Sequence, residues 1–432
     1  MADLKSCRLC AATESACLPT VRRDSARGLD GQAELLGNKK TEAKDWVWID
    51  RQESFDEVVS ELRQSAEIAL DTEFHRERTY FAKLALIQIA WKDHVALIDP
   101  FGLDLTVMRS VFEMPVTVIL HAGVQDLEIL SRAVGLLPPS IFDTQIAAGF
   151  IGFSNPSLML LGERLLGLTL PKGDRLTDWT KRPLSEGQLR YAASDVSHLA
   201  ELKKTIESRL KQMGRLEWAW DESHVLLERD RSSVPIERAW WKIKECRHLK
   251  GQSRKVAQAL AAWREERAST LDIPVRYVLS DLAVAVISQE MPKSIESLSG
   301  LRGVEPRFLV QGVDKQILQV VARGGSMAES DLHIPDVHES DKRTRPIASL
   351  VITWATQLAQ SMHIDPLLLA TRADITGFLQ GDADSRLSSG WRNEVLGEPI
   401  KRLAAGELAI AFNSKSGELE LEERSNRTYR RR

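Results

Sequence analysis

Ile68-Ala69-Leu70-Asp71-Thr72-Glu73-Phe74 decides how this chain is read. The apolar run predicts a buried strand, and its end carries two acids two positions apart. Side chains at i and i+2 share one face of a strand, so Asp71 and Glu73 project together. Carboxylates held that close repel each other unless something positive lies between them, and a divalent metal is the usual answer. Surface strands often carry two acids, so the pair gains its weight from two more acidic sites further along the chain.

His121-Ala122-Gly123-Val124-Gln125-Asp126 comes directly after the apolar run Val116 to Leu120. It reads as a strand that ends, turns at Gly123 and becomes a helix with Asp126 in its first turn. An acid there also complements the helix N-terminus, which is the plain alternative. Tyr191-Ala192-Ala193-Ser194-Asp195 lies inside the amphipathic segment Glu186 to Leu202. Four residues apart on a helix means one face, so the Tyr191 hydroxyl and the Asp195 carboxylate look the same way. An Asp in mid-helix is a poor helix former and wants a reason, a Tyr–Asp hydrogen bond being the simplest.

The order Asp-x-Glu, Asp, Tyr-x-x-x-Asp resembles the DEDD superfamily of 3′–5′ exonucleases, in the subtype whose last motif carries Tyr. The ribonuclease D family is the nearer match. Arg76-Glu77-Arg78-Thr79-Tyr80 and Leu86-Ile87-Gln88 look like the rest of its first motif, and Phe142-Asp143-Thr144-Gln145 like the strand after its second. Asp178-Trp179 and Arg182-Pro183-Leu184, ahead of Tyr191 to Val196, look like its third. The resemblance is dense over roughly residues 46 to 210. It implies a ribonuclease H-like domain, a mixed sheet flanked by helices, working with two divalent ions, Mg²⁺ or Mn²⁺. It also implies a catalytic set of Asp71, Glu73, Asp126, Tyr191 and Asp195, of which the four acids ligate metal. Asp71 would bridge both ions, with Glu73 and Asp195 on one and Asp126 helping to hold the other. Tyr191 would orient or help deprotonate the attacking water, with positioning the expected role because a free Tyr pKa near 10 makes a poor bulk base. Substrate contact is expected from Phe74, His75 and Gln88. His75 and His121 lack the spacing of a zinc site and are not expected as ligands.

A chain of 432 residues predicts two to four domains. The formal net charge of −3 leaves nucleic-acid affinity to local patches. No apolar run reaches bilayer length and Met1 to Lys5 lacks the core of a secretory signal, so no membrane partner is expected. Four cysteines suggest a reducing compartment, with the cytoplasm as the simple expectation. Cys7-Arg8-Leu9-Cys10 with Cys17 supplies three thiols and no His, short of a structural zinc set, so residues 1–44 read as a flexible leader. Gly37-Asn38-Lys39-Lys40-Thr41 has the wrong glycine offset for a phosphate loop and no preceding strand, so no NTP partner is expected.

Residues 45–215 form the expected exonuclease domain. A helix is predicted from Ser54 to Ser65, then strands Glu67 to Phe74, Leu84 to Lys92 and His94 to Ile98, close enough for hairpins. Strand–helix alternation comes next: helix Leu105 to Phe112, strand Val116 to His121, helix Gln125 to Val134, strand Ile141 to Asp143. Helices Leu158 to Leu166 and Glu186 to Met213 complete the domain. Beyond Pro235 the pattern is helical. Residues 236–324, with Pro274-Val275-Arg276-Tyr277-Val278-Leu279 and Leu298-Ser299-Gly300-Leu301, resemble the HRDC domain. Between Ile236 and Arg267 nine Lys/Arg face four Asp/Glu, with Trp240, Trp241 and Trp263 interleaved. Such a segment either touches RNA or is a helical core with a basic rim. Residues 325–344 read as a linker, 345–413 as a second, HRDC-like helical unit, and 414–432 as a basic tail ending Arg430-Arg431-Arg432.

The resulting expectation is a metal-dependent 3′–5′ exoribonuclease acting on RNA 3′ ends, tRNA precursors in particular, with the helical units holding the RNA body. A DNA 3′–5′ exonuclease and a catalytically silent RNA-binding scaffold are the alternatives, and the scaffold is disfavoured because no metal-binding acid is missing. Deleting residues 236–432 is expected to weaken binding of structured RNA while sparing cleavage of short single strands.

Overall fold

A computed structural model describes residues 45–171, 173, 177–229, 235–334, 344–382 and 384–424. The leader with Cys7, Cys10, Cys17 and Gly37 to Thr41, residues 335–343 of the linker, and Arg430 to Arg432 lie outside them.

Six strands, β1 (Trp46–Ile49), β2 (Glu67–His75), β3 (Lys83–Trp91), β4 (His94–Ile98), β5 (Thr117–Leu120) and β6 (Ser140–Asp143), form one sheet in the order β1-β4-β3-β2-β5-β6. The short connections among β2, β3 and β4 make an antiparallel meander, whereas β5 joins β2, β6 joins β5 and β1 joins β4 in parallel. The sheet is thus mixed and flanked by helices, as the resemblance implied.

Alternation along the strands decides what faces what. Ile87, Ile89 and Trp91 of β3 enter a core with Phe55 and Leu62 of the Gln52–Leu62 helix and Leu127 of the Val124–Ala133 helix. Leu86 and Ala90 enter the opposite core, with Ala192, Ala193 and Val196 of the Glu186–Ser197 helix. Ala69 lies on that second face, so Asp71 and Glu73, two and four positions on, point toward the same helix. The helix predicted unbroken from Glu186 to Met213 turns at His198 (φ −115°, ψ 2°), which separates Glu186–Ser197 from Leu199–Met213.

The HRDC segment packs its helices around fully buried Trp240, Leu260, Val284 and Ile317. Trp240 donates its indole N–H to the His333 carbonyl at 3.1 Å and is therefore core, unavailable to stack on a base. The first part of the expected linker is also ordered against this unit. His333 N–H donates to Gln258 Oε1 at 2.7 Å, and Gln258 Nε2 donates to the Asp331 carbonyl at 2.8 Å.

The second helical unit repeats the first one's turn. The Gln252–Leu271 helix ends at Asp272 (φ 47°), passes through a four-residue helix (Val275–Val278), and restarts under a Ser280 cap. The Arg345–Met362 helix ends at His363 (φ 53°), passes through Pro366–Leu369, and restarts under a Thr371 cap. Two expectations for this region need correction. It is not all helical: β7 (Leu408–Asn413) and β8 (Glu418–Glu423) form an antiparallel hairpin, so residues 414–423 are not part of a basic tail. The alternation Glu418-Leu419-Glu420-Leu421-Glu422 is a strand signal. Gln357 brackets Leu419, accepting from its N–H at 2.8 Å and donating to its carbonyl at 3.0 Å. Nor is the unit separable, because Val351, Trp354, Ile364 and Trp391 belong to the same buried cluster as Phe142 and Phe150 of the exonuclease domain. Trp391 stacks on Trp218 (ring centroids 5.0 Å apart, 16° between planes), and buried Arg392 donates to Glu222 at 2.6 Å.

Candidate active site

β2 runs past the end of its pairing with β5, which stops at Ala69 against Ile119. Asp71 and Glu73 therefore lie beyond the parallel partner and keep only β3 alongside, Asp71 opposite Gln88 and Glu73 opposite Leu86. The Glu186–Ser197 helix crosses above, started by a Ser185–Gln188 capping box. Its Ala192 and Ala193 are fully buried, and such small side chains let the helix lie close to the sheet. One carboxylate oxygen from each of Asp71, Glu73 and Asp195 then falls within 4.8 Å of the others.

Asp126 arrives from the other side. The turn after β5 holds Ala122 in a left-handed conformation (φ 59°). Fully buried Asp143 grips that turn, accepting from Ala122 N–H at 3.1 Å and Gly123 N–H at 2.8 Å. Its Oδ1 also accepts from Gln145 N–H at 2.9 Å, starting the next helix. Asp143 thus aims the Val124–Ala133 helix and with it Asp126, whose carboxylate accepts from the Thr72 hydroxyl at 2.5 Å. Asp126 stands beside the three-acid cluster rather than within it. In the sequence Asp143 stands out only as part of a motif; an Asp closing a strand before Thr-Gln is a helix-cap signal from which its capping of the next helix, though not its grip on the turn, could have been read.

Electrostatics at the site all run one way. Desolvation, then Asp126, Asp195 and Glu73, push the Asp71 carboxyl well above the usual carboxylate range. Burial lifts Asp126 to about 6. Tyr191 is pushed up by burial and by the negative charges of Asp195, Glu73 and Asp71, and it hydrogen-bonds Asp195. Its phenol therefore keeps its proton throughout the neutral range. A cavity of about 340 Å³ opens beside the cluster, lined by Asp71, Tyr191, Asp195, His121, Asn155 and Ser157 among others. Phe74 and His75 are half-buried at the end of β2. Gln88 is a correction: it is fully buried in the inner strand β3 beneath the helix, out of a substrate's reach.

The loop before the helix is anchored by Arg182, which pairs with Asp99 through two bonds of 2.6 and 2.9 Å and donates to the Trp179 carbonyl at 2.8 Å. Trp179 lies against Tyr191 (centroids 6.2 Å apart). Among the described residues no helix is long and apolar enough to cross a membrane.

This arrangement has counterparts in known proteins. The 3′–5′ exonuclease family matches residues 46–211, and the HRDC domain matches 253–321. Ribonuclease D of Acidiphilium cryptum is 32% identical over 384 residues, 86% of this chain and 96% of its own. Ribonuclease D of Escherichia coli is 33% identical over 359 residues, 79% of this chain and 94% of its own. The crystal structure of Escherichia coli RNase D, an exoribonuclease involved in structured RNA processing, superposes with a TM-score of 0.76 at 30% identity, over 84% of this chain and 99% of that one. The catalytic core of RRP6 from Trypanosoma brucei shares the fold (TM-score 0.55, 22% identity). The chain belongs to the ribonuclease D family of 3′–5′ exoribonucleases.

Proposed function

We propose that Asp71, Glu73, Asp126 and Asp195 hold two divalent cations, Mg²⁺ or Mn²⁺, and that with Tyr191 they remove nucleotides from RNA 3′ ends, those of tRNA precursors included. Three acids with oxygens mutually within 4.8 Å, one of them desolvated among the others, are the observation that carries this reading. Only a cation makes three charges at that separation favourable, and an all-oxygen donor set suits a hard one.

Such ions, when bound, supply a water made nucleophilic near neutral pH and neutralise charge developing on the leaving oxygen. Asp71, which feels the charges of Asp126, Asp195 and Glu73, would be shared by the ions, with Glu73 and Asp195 as further ligands of one. Asp126, whose carboxylate accepts from the Thr72 hydroxyl, would help to hold the other. Tyr191, held against Asp195 and carrying a phenol whose ordinary pKa is near 10, would work as a hydrogen-bonding group that positions the water. Tyr191→Phe should accordingly lower kcat about 10- to 100-fold with KM and metal affinity held, measured by steady-state cleavage and metal titration. Gly173 passes so close to the Tyr191 ring that an added Cβ would sit 2.1 Å from Cε2. Gly173→Ala should displace the ring and reproduce much of the Tyr191→Phe loss without lowering the melting temperature.

The test of the function is digestion of a 5′-labelled tRNA precursor and a matching DNA strand with Mg²⁺, Mn²⁺ or EDTA. Stepwise shortening of the RNA with either metal, stopped by EDTA and slow on DNA, is the expected result. Equal cutting of DNA would overturn the substrate class. RNA binding without shortening under any metal would overturn the activity.

A further inference from the structure

The two helical units meet the exonuclease domain through the turn they share. In the first unit Asp272 Oδ1 accepts from the N–H groups of Tyr80 and Phe81, both at 3.1 Å. Those residues belong to the loop after β2, the strand carrying Asp71 and Glu73. In the second unit Asp365, which is 7% exposed, meets residues 149–157. Its Oδ2 accepts from Asn155 N–H at 3.2 Å, and its own N–H donates to the Gly149 carbonyl at 2.8 Å. Each turn thus grips a loop bordering the acidic cluster.

We propose that Asp365 is a positioning residue for the nucleotide-binding wall of the active site, supplied by the C-terminal helical unit. The loop it holds contributes Asn155 and Ser157 to the cavity of about 340 Å³ beside Asp71, Tyr191 and Asp195. That loop is held from two sides. Asn155 (φ 44°) lies in the left-handed region, which Asn tolerates better than most residues, and Asp365 holds it there through its N–H. From inside the domain Gln145 Nε2 donates to the Pro156 carbonyl at 3.0 Å. The Asp365 carboxylate is the outer anchor, and a charged acceptor makes the stronger kind of hydrogen bond to an N–H. Its other oxygen accepts from Leu367 N–H at 2.9 Å, so the anchor is itself fixed by capping the next helix. Packing leaves little play here, since a Cβ on Gly149 would fall 2.4 Å from Leu368 Cδ1. The amide and hydroxyl of Asn155 and Ser157 suit the polar edges of a nucleoside, the 3′-terminal one being the unit nearest the acids.

This rests on the exonuclease reading of the acidic cluster, and the test separates the two. In the full-length chain, Asp365→Ala should raise KM for a short single-stranded oligoribonucleotide about tenfold while kcat stays within about threefold. Amide hydrogen exchange across residues 150–157 should accelerate in parallel. Asp365→Asn keeps one acceptor oxygen and should recover most of the KM, which also covers an alanine variant that folds poorly. Ile364→Ala, which loosens packing in the same turn without touching its hydrogen bonds, should lower the melting temperature and leave KM near wild type. An unchanged KM in Asp365→Ala, or an equal KM rise in Ile364→Ala, would overturn the positioning role. Asp195→Asn serves as the separate arm: full turnover in that variant would overturn the exonuclease reading whatever Asp365 does.

Discussion

Asp71→Asn is expected to abolish turnover, by on the order of 10³-fold or more, while the metal-free protein keeps or gains thermal stability. The substitution preserves shape and removes one negative charge. Asp71 sits where desolvation and three neighbouring acids already oppose its ionisation, so in the absence of a cation that charge contributes nothing favourable to the fold. On the proposed reading the same crowding would favour a divalent ion among these carboxylates. Differential scanning fluorimetry with and without Mn²⁺ should show wild type gaining stability from the metal and Asp71→Asn gaining much less. RNA affinity measured by anisotropy should stay near wild type. A variant that melts several degrees lower without metal, or loses RNA binding together with turnover, would make Asp71 a structural residue instead.

Trp391→Ala should destabilise the exonuclease domain itself, by about 3–5 kcal/mol, although Trp391 lies far along the chain in the second helical unit. Its ring is 6% exposed, stacks on Trp218 and meets Phe150 edge-on at 5.2 Å. Removing it opens a cavity at the junction of Phe150, Trp218 and the Trp354 cluster, all in one continuous core. Calorimetry should show these two parts unfolding in one transition, shifted down on the order of 10 °C in the variant. For the same reason a chain cut before residue 344 should be poorly folded, which reverses the expectation that short-strand cleavage survives loss of everything beyond residue 236. Separate transitions, with the exonuclease transition unmoved by Trp391→Ala, would show the units to be independent.

How much of this was legible in the sequence depends on the range of each signal. Asp71, Glu73, Tyr191 and Asp195 announce themselves through spacing, because two positions on a strand or four on a helix put side chains on one face wherever the element ends up. The meander was legible because β2, β3 and β4 are joined by short connections. Gln88 was misjudged because its motif gives no sign that its strand is an inner one covered by a helix. Asp143 and Asp365 show locally as helix caps, but their bonds to Ala122, Gly123 and Asn155, like those of Asp272 to Tyr80 and Phe81, reach N–H groups distant in sequence that no local pattern names. The hairpin at residues 408–423 was readable from its alternation, yet its charged composition and its place after a helical stretch drew attention away. The junction at Trp391 is legible only in three dimensions, since an apolar helix face does not say which neighbour it covers.

The central claim is tested most directly by single-turnover digestion of a 3′-labelled RNA, comparing wild type with Asp195→Asn across a Mn²⁺ titration. The prediction is that wild type releases the label first as a mononucleotide, at a rate that saturates with metal, and that Asp195→Asn releases almost none. Label released in a longer fragment, or at an undiminished rate by Asp195→Asn, would contradict the assignment of this carboxylate cluster as the centre of a 3′–5′ exoribonuclease.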